Sequence, residues 1–215
     1  RRDPETAMAT TFTHTFVYEL VTLFVILDPV STIPIFLAAT VGLARKDALK
    51  VAMHAVVIAF GVLLVFIVGG QFLLNALHIP MPSFQLAGSI VLLMFGLKLV
   101  LGTVTEEAAA IPEGMSMFER AIYPLAIPGI AGPGSMLTVV MLTDNNRRTI
   151  AEQAITTGEL LICLVVLLGI YAMSSFLYRV LGRGGIEIVS RVFGLIVSSI
   201  AVNNLIIAVK LSFGL

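Results

Sequence analysis

Six apolar stretches, near residues 12–41, 50–77, 83–102, 120–142, 154–180 and 186–213, take up nearly the whole chain. Each has the length of a helix that crosses a bilayer. One crossing needs about 20 apolar residues, so six of them leave only short connections in a chain of 215. The fold class expected is an all-α polytopic membrane protein, a single membrane domain over residues 8–215. A charged fraction of 12%, about half that of soluble domains, agrees with this. Thirteen basic and thirteen acidic side chains balance without any basic run, which argues against a nucleic-acid partner. The lone Cys163 rules out a disulfide framework and a cysteine-based metal site, and no metal is expected. The polar octet RRDPETAM precedes the first stretch, and residues 1–7 are read as a cloning remnant.

The loops carry the remaining charge. Arg45, Lys46, Lys50, Arg120, Arg179 and Arg183 fall on one face, and Arg147, Arg148 and Lys210 on the other. Acidic Asp47, Glu106, Glu107, Glu113 and Glu119 add little to an orientation rule that counts basic residues. The bias of six against three predicts that loops 42–49, 103–119 and 181–185 are cytoplasmic and that both termini are outside.

Five of the nine prolines lie in two spans. Span 1 reads Asp28-Pro29-Val-Ser-Thr-Ile-Pro34 and span 4 reads Ile127-Pro128-Gly-Ile-Ala-Gly-Pro133, both with four residues between prolines. The third span of each half agrees: Gln85-Leu-Ala-Gly88 has the spacing of Arg191-Val-Phe-Gly194. These matches define a repeat, one unit near 12–102 and the other near 120–213. Because each unit holds three spans, the second must enter the membrane from the opposite side, and the repeat is inverted. Proline inside a helix removes a donor and frees carbonyls, which in hydrocarbon must find partners in protein or a wet cavity. Matched interruptions in two halves point to the binding site of a secondary transporter; paired proline kinks are the plainer alternative.

Asp28 is the ionisable residue nearest a span centre. Asp followed by Pro starts helices, so Asp28 is expected to cap the second half of span 1 over the N–H of Val30 or Ser31; a coupling role for a proton or monovalent cation is a second candidate. Glu19, nine residues earlier and about 13 Å along a helix, is out of phase with Asp28 and is read as reaching toward a vestibule, with a coupling role also open. Glu159 receives the same interfacial reading, Lys98, Arg191 and Lys210 are read as snorkelling, and His54 as a structural histidine. Gly194-x3-Ser198 with Ala201 makes a small-residue packing stripe, and Gly88 a weaker one. Candidate substrate contacts are Asp28, Ser31, Thr32, Gly129, Ile130, Gly132, Ser135, Asn203 and Asn204. The hydroxyls can instead bond back to their own helices, and one of the two amides can serve only to tie helices together.

LDPVSTIPIF in the first span, FQLAGSIVLLMFGLKLVLG in the third, YPLAIPGIAGPGSM in the fourth and GRGGIEIVSRVFGLIV around the sixth resemble the MarC family of bacterial and archaeal inner-membrane proteins. The resemblance covers nearly all of 12–213, and Asp28 stands where members often carry Asn. It implies a transporter of small neutral amino acids, glycine and alanine, in the cytoplasmic membrane.

The function expected is therefore an alternating-access carrier without a cofactor. A channel or exporter for another small solute is the alternative. An intramembrane enzyme is disfavoured: aspartates other than Asp28 lie outside the spans, at Asp3, Asp47 and Asp144, and no HExxH occurs.

Overall fold

The computed structural model describes residues 4–102, 114–144 and 148–214, with side chains described from Thr15 onward and Arg183 left out. Glu106, Glu107, Glu113 and Arg147 lie outside the described residues, as does most of loop 103–119. The regular elements are helices: α1 (Pro4–Leu27), α2 (Thr32–Ala39), α3 (Arg45–Ala76), α4 (Met81–Leu101), the one-turn α5 (Met117–Arg120), a distorted α6 (Ala121–Ile130), α7 (Pro133–Leu142), α8 (Ile150–Gly182) and α9 (Gly184–Phe213).

Four of these, α3, α4, α8 and α9, are long and apolar enough to cross a membrane as single rods. Two bent pairs bring the number of candidate crossings to six. Thr15–Leu27 meets Thr32–Ala39 at 47°, and Met117–Ile130 meets Pro133–Leu142 at 56°. Bends of that size keep both halves advancing in one direction. At 1.5 Å per residue the first pair climbs about 20 Å and then about 8 Å more after projection, close to the hydrocarbon thickness. The protein is thus a multi-pass membrane protein with four straight crossings and two bent pairs, each long and apolar enough to make one more.

Alanine-rich α3 explains how the broken elements reach the centre. Ala52, Ala55 and Ala59 are fully buried and let α6 lie close, with Leu125, Ala126 and Ile130 packed among Leu63, Leu160 and Leu164. The outer faces stay apolar: Val65, Val68 and Phe72 of α3 and Val165 of α8 are exposed, as lipid-facing side chains must be.

The seam between α4 and α9 uses the small-residue stripe. A Cβ on Gly96 would lie 2.5 Å from the Ser198 hydroxyl and 3.0 Å from the Gly194 carbonyl, so the two backbones touch there. Gln85 adds a bond from its amide nitrogen to the Asn204 carbonyl at 3.2 Å. At the face expected to be cytoplasmic, Arg120 closes the C-terminal end of α2 by donating to the Ala39 carbonyl at 3.0 Å. His54 is exposed and meets the Phe118 ring edge-on at 6.2 Å.

Candidate functional site

The first break is built around Asp28. Its φ of 43° is left-handed, a conformation that aspartate tolerates better than most residues, and α1 ends there. Its N–H still donates to the Phe24 carbonyl at 3.2 Å, while Oδ1 accepts the Ser31 N–H at 3.2 Å. Asp28 thus bonds Ser31 as expected, but it holds the turn that leads into α2, whose N-cap is Ser31 itself, without a side-chain cap. Its other oxygen, Oδ2, is buried without a partner, as is the Ser31 hydroxyl. Pro34 falls in the first turn of α2, where the N–H groups lack intrahelical acceptors in any case. Asp28→Asn, which keeps an oxygen for the Ser31 N–H, should melt like wild type in detergent. Asp28→Ala should lose about 1 kcal/mol of stability.

The second break works differently. Tyr123 and Ile127 are extended, with φ of −123° and −131°, and each precedes a cis-proline, Pro124 and Pro128. A Cβ on Gly129 would come within 2.9 Å of the Pro124 carbonyl oxygen, and one on Gly132 within 2.7 Å of the Pro128 carbonyl oxygen. Gly129 and Gly132, candidate substrate contacts, are thus required first by the chain's own backbone, which fills the space a side chain would take. Gly132→Ala should already lower the melting temperature and folded yield by overpacking, a cost of about 1–3 kcal/mol readable by thermal denaturation. Gly132 caps α7 without a side-chain acceptor, and Pro133 opens the helix. The unanswered N-terminus at this break is thus that of α7, at Gly134 and Ser135. Ile130 is fully buried.

The two breaks meet at a cavity of about 310 Å³. Ser31 and Thr32 border it from the first break, Pro128, Gly129, Gly132, Pro133, Gly134 and Ser135 from the second, and Val91, Phe95 and Lys98 from α4. Thr32 donates its hydroxyl to the Pro29 carbonyl at 3.0 Å, and Ser135 to the Ile130 carbonyl at 2.8 Å. With their protons turned back to the chain, both oxygens are left to act as acceptors. The site therefore offers amide donors at the α7 N-terminus and hydroxyl acceptors a short distance away.

Several candidates lie elsewhere. Asp28 does not border the cavity, and the fully buried Tyr171 hydroxyl lies beside the Thr32 side chain and within electrostatic reach of Asp28. Tyr171 stacks on Phe36 at 4.6 Å, and nothing in its sequence context marked it. Asn203 is exposed and Asn204 half-buried, and neither borders the cavity. Glu19 and Glu159, expected to reach toward the surface, are instead 2% and 1% exposed between α1 and α8. Lys98 borders the cavity, Arg191 pairs with Glu187 at 2.6 Å, and Lys210 is exposed.

The model of the MarC family integral membrane proteins matches residues 13–213. The chain belongs to the MarC family. Among its MarC-like relatives, a UPF0056 membrane protein of Aquifex aeolicus is 31% identical over 198 residues, covering 91% of this chain and 92% of the relative. One from Methanocaldococcus jannaschii is 32% identical over 200 residues, covering 91% and 96%. The UPF0056 inner membrane protein YhgN of Escherichia coli is 29% identical over 185 residues, covering 84% and 89%. No solved structure matches the chain. The MarC match spans both broken crossings, so the cavity between them belongs to the region the family shares.

Proposed function

We propose that this MarC-family protein is an alternating-access carrier of small neutral amino acids, with glycine and alanine as substrates. The observation that carries this reading is the convergence of two broken helices on one cavity. Its volume, about 310 Å³, is at the low end for ligand pockets and suits a small solute. A carboxylate fits the first turn of α7, where N–H groups and the positive end of the helix dipole converge, and an ammonium fits the Thr32 and Ser135 oxygens. The substrate's opposite charges thus meet opposite partners. The wall of Val91 and Phe95 is apolar and leaves space for a methyl group, and Lys98 beside it disfavours a basic side chain. In this reading the two three-helix units are an inverted repeat that rocks about the cavity, supported by matched prolines and matched bends of 47° and 56°.

A bacterial or archaeal cytoplasmic membrane is the proposed location, with both termini outside. The chain's own chemistry makes the orientation measurable, because Cys163 is buried and contributes little labelling background. An impermeant maleimide applied to intact cells should modify His78→Cys, in the α3–α4 turn, and spare Lys46→Cys. The reverse pattern would invert the topology. For the substrate, purified protein in thermal-shift assays should be stabilised selectively by glycine or alanine among the twenty amino acids. Stabilisation by a different solute class alone would replace the substrate assignment.

A further inference from the structure

Away from the cavity, the seam between α1 and α8 buries two carboxyl groups around one arginine. Glu19 is fully matched: Arg148 donates to its Oε1, and the Thr156 hydroxyl to its Oε2 at 2.8 Å. Glu159 is not. It is 1% exposed, and neither of its oxygens has a hydrogen-bond partner.

Neighbouring contacts fix where Glu159 points. Thr156 and Cys163, three residues before it and four after, share its face of α8. Thr156 touches Glu19, and the Cys163 thiol approaches the Leu20 carbonyl at 3.7 Å. Between those two contacts the Glu159 carboxyl lies against α1, within electrostatic reach of Glu19 and Arg148. Cys163 is the other titratable group beside it. Glu152 is half-exposed in the first turn of α8, bonded to Thr149 and 3.8 Å from Arg148. Asp144, buried in the connection between α7 and α8, is a further acid near the arginine, its carbonyl accepting the Arg148 N–H at 2.9 Å. Among the other described residues, the helices packed on this seam bring no further charge. α7 has none, and the one charge on α4, Lys98, borders the other cavity. The charges on α3, with His54, sit in its first turns, where Arg45 shares a pocket with Arg179; that arginine lies about 30 Å along α8 from Glu159.

We infer that Glu159 holds a proton, and that Glu19, Arg148 and Glu159 form a proton-binding site that clamps α1 to α8. One arginine neutralises one carboxylate, so the second must be neutral to remain in hydrocarbon. A metal ion fits poorly. Hard cations gather six or more oxygens, the Thr156 hydroxyl proton is committed to Glu19, and among the described residues no group of three acidic, histidine or cysteine side chains could hold a metal. Arg148, with a side chain 26% exposed, connects the site to water. When Glu159 releases its proton there, two carboxylates compete for Arg148 and the bond that holds Glu19 weakens. α1 ends at Asp28 and contributes Ile26 to the cavity wall, so freeing it from α8 changes the cavity. The proton site stands by itself; its use in transport rests on the carrier reading.

Infrared spectroscopy of the full chain in lipid nanodiscs tests the site directly, since a protonated carboxyl has its own C=O stretch. One pH-titrating carboxyl band should be missing in Glu159→Gln and shifted in Glu159→Asp, a variant that also covers a folding failure of the first. An unchanged set of bands in either variant, or a band that titrates with sodium rather than pH, would overturn the proposal. In proteoliposomes, Glu159→Gln should retain alanine exchange yet lose at least tenfold in accumulation driven by a pH gradient. If the band belongs to Glu159 but accumulation is unchanged, the clamp is refuted. If the wild-type protein moves no amino acid, the carrier reading fails while the infrared result still decides the proton site.

Discussion

Gly194→Val should prevent the protein from reaching its folded state in the membrane. A Cβ at this position would stand 2.6 Å from the Leu99 Cβ, 2.8 Å from the Gly96 carbonyl oxygen and 2.9 Å from the Val100 nitrogen. All three are backbone atoms or the first atom of a side chain, so no rotamer change relieves the clash and α9 must move away from α4 as a rigid rod. Overpacking costs about 1–3 kcal/mol where side chains can adjust, and here they cannot. The cost also spreads, because separating the helices exposes the bond from Gln85 to Asn204 and the Ser198 contact along the same seam. Size-exclusion profiles in mild detergent should show aggregate in place of the monodisperse wild-type peak. Gly169→Ala is the matched control. It lies in α8 with nothing within 4 Å of the added atom, and replacing a helical glycine by alanine gains about 1 kcal/mol in helix propensity. Equal behaviour of the two variants would mean that α4 and α9 do not cross at Gly194.

That seam was readable in advance because small residues at helical spacing report close packing whatever the partner. The broken crossings were readable for a related reason: proline acts on its own turn, so its effect is local, and Pro29, Pro34, Pro128 and Pro133 all stand at or beside a break. The turn at Asp28 is likewise local, its carboxylate reaching only to Ser31. What escaped sequence reasoning is non-local. Glu19 and Arg148 are 129 residues apart, and nothing near either one announces the other. Glu159 was placed at the interface because the apolar window begins near 154; α8 begins at Ile150, which sets Glu159 a further turn inside. Polarity makes Asn203 and Asn204 candidate pathway residues, yet it does not say which way a helix faces, and Asn203 is exposed. The Gly129 and Gly132 positions combine both lessons. Their occurrence marked the break, but the carbonyls of Pro124 and Pro128 that require them became visible only in three dimensions.

The central claim is that the cavity where the two breaks meet holds a small neutral amino acid, carboxylate to α7 and ammonium to the Thr32 and Ser135 oxygens. Equilibrium binding of radiolabelled alanine to purified protein in nanodiscs tests it most directly. Thr32→Val and Ser135→Ala each remove one acceptor with little change of shape, and losing a hydrogen bond to a charged group costs about 1.5–3 kcal/mol, or roughly tenfold to a hundredfold in affinity. Saturable binding that glycine displaces and lysine does not, weakened at least about tenfold in each variant, is the predicted result. Each variant also loses about 1–3 kcal/mol of stability, because the Pro29 or Ile130 carbonyl is left without its hydroxyl donor, so binding is compared on the folded, monodisperse fraction. Absence of saturable alanine binding, or alanine affinity untouched by both substitutions, would contradict it.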